Sequence, residues 1–477
     1  MTSENVLNIF KEITTVPRES GHEEKIIAWL QNWAAERNLE CRTDEAGNVL
    51  IVKEAAPGCE NVPTIVLQNH SDMVCEKNSG CEHDFEKDPI KYIIKDGWMI
   101  APETTLGADC GIGMAAALAL IDSGEPMGRI ECLFTVSEET GLDGAFALKP
   151  DFFSGKVLIN LDSEDEGELF IGCAGGLDTT ARFDYVPECF DRTLSRLKLR
   201  VYNAMGGHSG DDIDKGRANA VQLLVRFLYS EMESGYRLVR IEGGNKRNAI
   251  AREAEAVIAV PAGAVEGLKS RFNSFAAAVK AEYETVEKNL SLSIEEIADK
   301  ADSGIPRDCA ARLITALCAV PHGVLSMSMD IPGLVETSTN LASIKMNEPG
   351  VIRIGTSQRS SITSARHMAG QKVEACFKLG GARVSHESEY PGWKPDPHSH
   401  LLDVCVASYE KLFGVKPVVR AIHAGLECGL FVDKYPGLDM ISFGPTLRGV
   451  HAPGERLDLA SLDRFVLLLE DVVKNYE

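Results

Sequence analysis

The chain has 477 residues, longer than one ordinary core supports, so two domains or three are expected. Lysine and arginine total 49 against 71 aspartate and glutamate, a net charge of −22. That balance excludes nucleic acid and anionic membrane as expected partners, because either needs a basic footprint. In chain order, residues 4–38 carry helical periodicity in two pieces, broken by Pro17 to Gly21. Strand-like runs follow at NVLIVKE (48–54), PTIVLQ (63–68), RIECLFTV (129–136) and KVLINL (156–161). Between the second and third lies CGIGMAAALALIDSG (110–124), a helix closed by Gly124.

Apolar strands alternating with helices predict an α/β class with a mixed sheet covered on both faces. After about residue 178 the texture changes. TARFDYV, RLKLRVYN, YRLVRIEGG and EAEAVIAV alternate as half-exposed strands do, with helices over 216–233 and 262–288 between them. A second set of strands is expected at 336–357 and 373–385, then a punctuated linker, YPGWKPDPHSH (390–400). Helix 400–413 and strand 438–443 return to the first texture. The expected organisation is an α/β domain in two parts, 1–178 and 393–477, interrupted by an inserted α+β domain at 179–392.

No apolar run approaches the roughly 20 residues of a membrane span. The acidic start does not read as a signal peptide. The 13 cysteines are odd in number and form no C-x-x-C pair, which predicts reduced thiols and a cytoplasmic setting. Cys75, Cys81 and His83 lie close together but lack the paired spacing of a structural zinc site.

The chemistry-bearing residues collect at strand ends and helix mouths, where open α/β sheets place their sites. His70 follows the strand at 63–68, with Asp72 two positions on. Asp109 precedes the helix at 110, Glu138 and Glu139 follow the strand at 129–136, Asp162 follows 156–161, and His451 lies beyond 438–443. An imidazole beside a carboxylate is how a metal ligand is held in orientation. Two histidines and three carboxylates without cysteine suit Zn²⁺, Mn²⁺ or Co²⁺. Five ligands exceed what one catalytic zinc needs. They suit a two-metal centre about 3.5–4 Å across with one bridging carboxylate. Of the adjacent glutamates, one can bind metal while its neighbour serves as a general base. Read alone, SEET also suits a helix cap with solvated acids. GADCGIG also suits a plain glycine-rich helix entry, since G-x-G-x-x-G is incomplete there.

LQNHSDMV, TTLGADCGIGMA, SEETGLDGAF, INLDSEDEGELFIGCAGG, GGHSGDDI, RNAIAREA, YPGWKPD, IHAGLECGLF and GVHAPGERLDL run in this order from about residue 48 to the C-terminus. The series resembles the M20 metallopeptidase family, most closely its bacterial aminoacyl-histidine dipeptidase (cytosolic nonspecific dipeptidase) branch. The resemblance implies a zinc-peptidase-type catalytic domain with an inserted lid. It also implies two zinc ions, one on His70 and Asp162, the other on Glu139 and His451, bridged by Asp109. Asp72 would orient His70, and Glu138 would move a proton from a metal-bridging water to the leaving amine. On the lid, His208 would stabilise the oxyanion, while Asn248 and Arg359 would hold the substrate carboxylate. Glu427 and His423, in HAGLECG, would support the site from behind.

Three departures from the family pattern stand out. Ser71 fills the middle of His-x-Asp, where an apolar residue is frequent. Ala251 replaces a usual proline, which predicts a looser turn after Asn248. Cys110 follows Asp109, and relatives carry a cis bond there, so the same is expected here. The expected function is hydrolysis of unblocked dipeptides, Xaa-His among them, with a homodimer as the expected assembly. The alternatives are a related amidohydrolase acting on N-acyl amino acids or tripeptides, and a catalytically silent binding protein on the same fold.

Overall fold

The computed structural model describes residues 1–298 and 301–477. The chain divides into two units. Met1–Cys173, Trp393–Ala421 and Leu426–Glu477 form the first, and Ala174–Gly392 with Ile422–Gly425 form the second.

The first unit is built on an eight-stranded sheet. Its strands are β1 (Glu40–Thr43), β2 (Val49–Lys53), β3 (Ile65–His70), β4 (Ile130–Thr135), β5 (Val157–Asn160), β6 (Glu168–Cys173), β7 (Val418–Ile422) and β8 (Asp439–Ser442), in the order β1-β2-β4-β3-β5-β8-β6-β7. The centre is parallel: β3 pairs with β4 and β5, and β5 with β8. The flanks are antiparallel. Every residue of β3, β4 and β5 is buried, as expected of central strands covered on both faces. The helix over Ala108–Asp122 is apolar on all sides and buried along nearly its whole length, which suits an element packed inside the unit. Helices Ser3–Ile13 and Glu24–Glu36 fall on either side of the predicted break.

The second unit carries one antiparallel sheet of nine strands. In order these are 291–297, 195–202, 254–260, 237–244, 335–348, 351–360, 175–184 and 383–390, with 323–327 also on 335–348. Helices Ala220–Ser230, Val265–Glu282, Arg307–Ala319 and Thr363–Leu379 bury their apolar faces in a common core that includes Leu199, Phe227, Phe272, Leu313 and Phe377. Phe227 and Phe272 meet edge to face at 4.9 Å between ring centroids.

One expected element is overturned. The strand expected at 373–385 is mostly the end of helix Thr363–Leu379, and strand Arg383–Tyr390 begins only beyond it. Val373, Ala375, Phe377 and Leu379 imitate a period of two, but burial falls on Ala369, Val373 and Phe377, a four-residue spacing that marks one helix face. Helix Arg307–Ala319 had no counterpart in the sequence reading. Among the described residues no helix is long and apolar enough to cross a membrane. All thirteen cysteines are unpaired.

Candidate metal centre

β3 delivers its last residue, His70, to the carboxyl edge of the sheet, with the side chain buried. His70 Nδ1 lies 3.2 Å from the Asp72 carbonyl oxygen and 3.4 Å from Asp72 Oδ1. Both neighbours are acceptors, so Nδ1 carries hydrogen and Nε2 faces the other way. There Nε2 is 3.0 Å from Asp109 Oδ1 and 3.3 Å from Asp162 Oδ1. His451 Nε2 is 3.1 Å from the other Asp109 oxygen and 2.9 Å from Glu139 Oε1. One carboxylate thus offers one oxygen to each of two imidazoles.

Asp72 is fully buried. It accepts from Ser20 Oγ at 2.7 Å and from the backbone N–H groups of Glu138 and Glu139 at 3.1 and 3.3 Å. Burial opposes its ionisation, but the bonds from His70 and Ser20 and the nearby imidazole charge hold it down at about 2. Asp72 therefore orients His70 and also anchors the turn that carries both glutamates. That turn leaves β4 through Ser137, whose φ is +50°. Ser137 N and Oγ donate to Glu23 Oε1 at 2.9 and 2.8 Å, which fixes the left-handed residue.

Asp109 is held from behind by Glu455, which is 2% exposed. The Glu455 carboxylate accepts from the backbone N–H groups of Leu106, Gly107, Ala108 and Asp109 at 2.7, 3.0, 2.8 and 3.4 Å. Buried Arg18 donates to the carbonyls of Ser71, Asp72 and Gly107, tying the His70 and Asp109 loops together. Gly107 has φ +69°, and a Cβ there would collide with the Arg18 guanidinium, so both backbone and space require glycine. The Asp109–Cys110 bond is cis, as the resemblance implied.

Divalent cations fit this donor set. Asp162 Oδ1 is buried and makes no hydrogen bond among the described residues. Burial, then the neighbouring Asp109 charge, pushes Asp162 up to about 6 against the pull of His70. Burial with Asp109 and Asp162 pushes Glu164 up to about 8. Glu138 is pushed well above the usual carboxylate range, first by burial and then by Asp162, Glu427 and Glu139, against His70. So much crowded negative charge calls for positive counter-charge. His70, Asp109 and Glu139 offer donor atoms close enough together for one ion. Cys110 also lies near His70 and Asp162. Burial keeps its thiol protonated, and it points at Asn69 Oδ1, 3.3 Å away, so the oxygen and nitrogen donors remain the better set.

A model of peptidase family M20/M25/M40 matches residues 66–475. The chain belongs to this family. It is 41% identical to the cytosol non-specific dipeptidase of Escherichia coli K12, over 98% of this chain and 96% of that protein. It resembles the crystal structure of aminoacylhistidine dipeptidase from Vibrio alginolyticus, with TM-score 0.92, 40% identity, and coverage of 99% and 96% of the two chains. The aminopeptidase PepT structure from Bacillus cereus shares the fold, with TM-score 0.58 at 18% identity over 99% of this chain and 98% of that one. The chain is thus an M20 metallopeptidase, a hydrolase of peptide bonds.

In this M20 chain the seven residues expected at the centre converge in the first unit. The three expected on the lid belong to the second. Arg359 is 7% exposed and pairs with no carboxylate among the described residues. Its donors reach Ser209 Oγ at 3.4 Å, Tyr390 Oη at 3.2 Å and His208 Nε2 at 3.5 Å. His208 Nδ1 accepts from the N–H groups of Gly210 and Asp211 at 3.3 and 3.2 Å. Asn248 is exposed, and its carbonyl accepts from Ser209 N. Its turn runs on to Ala251, where the family pattern has proline. Asn340 Nδ2 clamps it by donating to the Arg247 and Ala249 carbonyls at 3.2 and 2.9 Å. Ser71 turns its hydroxyl away, to the Thr135 carbonyl at 2.8 Å. His423 bonds Ser338 Oγ at 2.7 Å in the second unit. Arg18, Glu23 and Glu455 were missed as holders of the site. Glu455 lies inside the quoted segment GVHAPGERLDL, which is its only sequence signal.

Proposed function

We propose that this M20 chain is a cytoplasmic dipeptidase that hydrolyses unblocked dipeptides, Xaa-His among them, at a two-zinc centre. The observation that carries the reading is the Asp109 carboxylate set between two imidazoles, each with its own further carboxylate. The substrate class is supported by relatives of 40–41% identity along nearly the whole chain. His70 and Asp162 would hold one ion, Glu139 and His451 the other, and Asp109 both. When bound, the ions polarise the scissile carbonyl and make water a nucleophile at neutral pH.

The protein's own groups do the rest. Asp72 fixes the ring of His70. Glu138, whose basicity burial raises above that of an ordinary carboxylate, would take the proton of the attacking water and return it to the leaving amine. In the second unit, the proposed substrate-binding lid, Arg359, which pairs with no carboxylate among the described residues, would offer its guanidinium to the peptide carboxylate, assisted by Asn248. His208, whose Nε2 lies 3.5 Å from the Arg359 guanidinium, would stabilise the developing oxyanion.

The test is hydrolysis of Ala-His, Gly-Gly and β-Ala-His beside their N-acetyl counterparts and a tripeptide. Each is assayed on chelator-stripped protein and after return of zinc, manganese or cobalt. Turnover of the free dipeptides is expected to vanish with the metal and return with it. Cleavage confined to the N-acetyl compounds would make the protein an acylase. No turnover with any metal would sink the enzyme reading.

A further inference from the structure

The α-amine of a dipeptide is two bonds from the carbonyl carbon under attack. Whatever recognises that amine must therefore stand beside the metal ligands, on the first unit. Glu427 stands there and has no part in the chemistry described above. It opens the helix Glu427–Lys434 and is 2% exposed. Its Oε2 accepts from Gln68 Nε2 at 2.6 Å and Thr135 Oγ1 at 2.8 Å, near the ends of β3 and β4. Gln68 is locked in turn, because its Oε1 accepts from Asn160 Nδ2 at 2.6 Å and Asn160 Oδ1 accepts from Ser442 Oγ. Four neighbouring strand ends thus fix the direction of one carboxylate. Its second oxygen, Oε1, is buried and makes no hydrogen bond among the described residues. The carboxylate is near enough for its charge to be felt with those of His70, Asp162 and Glu138.

An acceptor buried without a partner costs about 1–3 kcal/mol, more if it is charged, so its retention asks for a donor from outside the fold. We propose that Glu427 Oε1 receives the free α-ammonium group of the substrate and thereby sets the preference for unblocked over N-acylated peptides. This rests on the dipeptidase reading. An ammonium brings three donors and a positive charge to a site ringed by carboxylates. Acylation removes the charge and two of the donors and adds bulk. A polar site deprived of its partner rejects the analogue more strongly than an apolar pocket does.

The experiment compares wild type with Glu427→Gln on Ala-His and on propionyl-histidine, the same molecule without its amine. Propionyl-histidine is followed both as substrate and as competitor, with bound metal measured in each preparation. The variant is expected to lose tenfold or more in kcat/KM on Ala-His, mainly through KM. Its interaction with propionyl-histidine should stay within twofold of wild type, and its metal content should not change. Equal losses on both compounds, or loss of metal, would overturn the proposal and make Glu427 a positioning residue. If Glu427→Gln does not fold, Glu427→Asp keeps the charge but shortens the reach. It should raise KM for Ala-His selectively, and an unselective change would again overturn the proposal. A wild type that cleaves Ala-His no better than propionyl-histidine would also overturn it, while leaving peptidase activity in place. A wild type that cleaves neither would remove the dipeptidase reading and the proposal with it.

Discussion

Two histidines of the second unit are held neutral by their surroundings. Burial pushes His322 down to about 4, and its Nδ1 already accepts from Leu341 N at 3.1 Å. Burial, then the charge of Arg359, pushes His423 down to about 4. In the unfolded chain each would titrate near 6.5. Between roughly pH 6.5 and 4 the unfolded state binds more protons, so the stability that these residues contribute is whole above 6.5 and falls as the pH drops through that window. Each accounts for about 2 kcal/mol lost by pH 5. Urea midpoints at pH 7 and pH 5 are expected to differ accordingly. His322→Gln should flatten the dependence, and an unchanged slope in that variant would mean His322 is already charged in the fold.

At the scale of elements, the mouth of the helix Ala108–Asp122 decides where Asp109 points. Its first N–H groups end on Glu455 instead of on a local cap, and Arg18 takes the carbonyls on the other side. Removing the carboxylate leaves buried N–H groups unpaired and takes from the buried Arg18 one of its two carboxylate counter-charges, the other being Asp72. Glu455→Ala is expected to cost about 3 kcal/mol in urea unfolding. Metal affinity should also fall on the order of 10- to 100-fold, as it does when the groups behind a ligand are lost. A variant with wild-type stability and metal binding would show that the helix mouth holds itself. These contacts also mark the limit of what the sequence discloses. The strands leading to His70, Glu138 and Asp162 were legible because burial on both faces leaves a continuous apolar run that stops where the polar residues begin. Arg18 and Glu455 were not, because each acts on backbone atoms far away in sequence, and no spacing encodes that. The helix Thr363–Leu379 was misread at its end because Val373, Ala375, Phe377 and Leu379 satisfy two periods at once. Only packing on one side chose between them.

Across the whole molecule, the expected site residues gather in two clusters, one in each unit. The proposed metal-ligand cluster draws on five separate strand ends and loops of the first unit. In the second unit His208 and Arg359, 151 positions apart, lie side by side. Arg359 sits on a strand that continues the same sheet as those flanking the His208 turn, and Ser209 binds both Arg359 and the Asn248 carbonyl. Nothing in this cluster has to come from a second copy. The proposal to be checked is that His208 serves the metals of its own chain. The check is subunit mixing. Glu138→Gln removes the proposed proton carrier and is expected to lower kcat by about 10²–10⁴ with metal retained. His208→Ala removes the proposed oxyanion donor and is expected to lower it by about 10²–10³. Co-refolding the two at equal ratio is expected to give only the average of their residual activities. Recovery toward a quarter or more of the wild-type rate would mean that one chain's His208 serves its partner's metals, and the single-chain assignment would have to be abandoned.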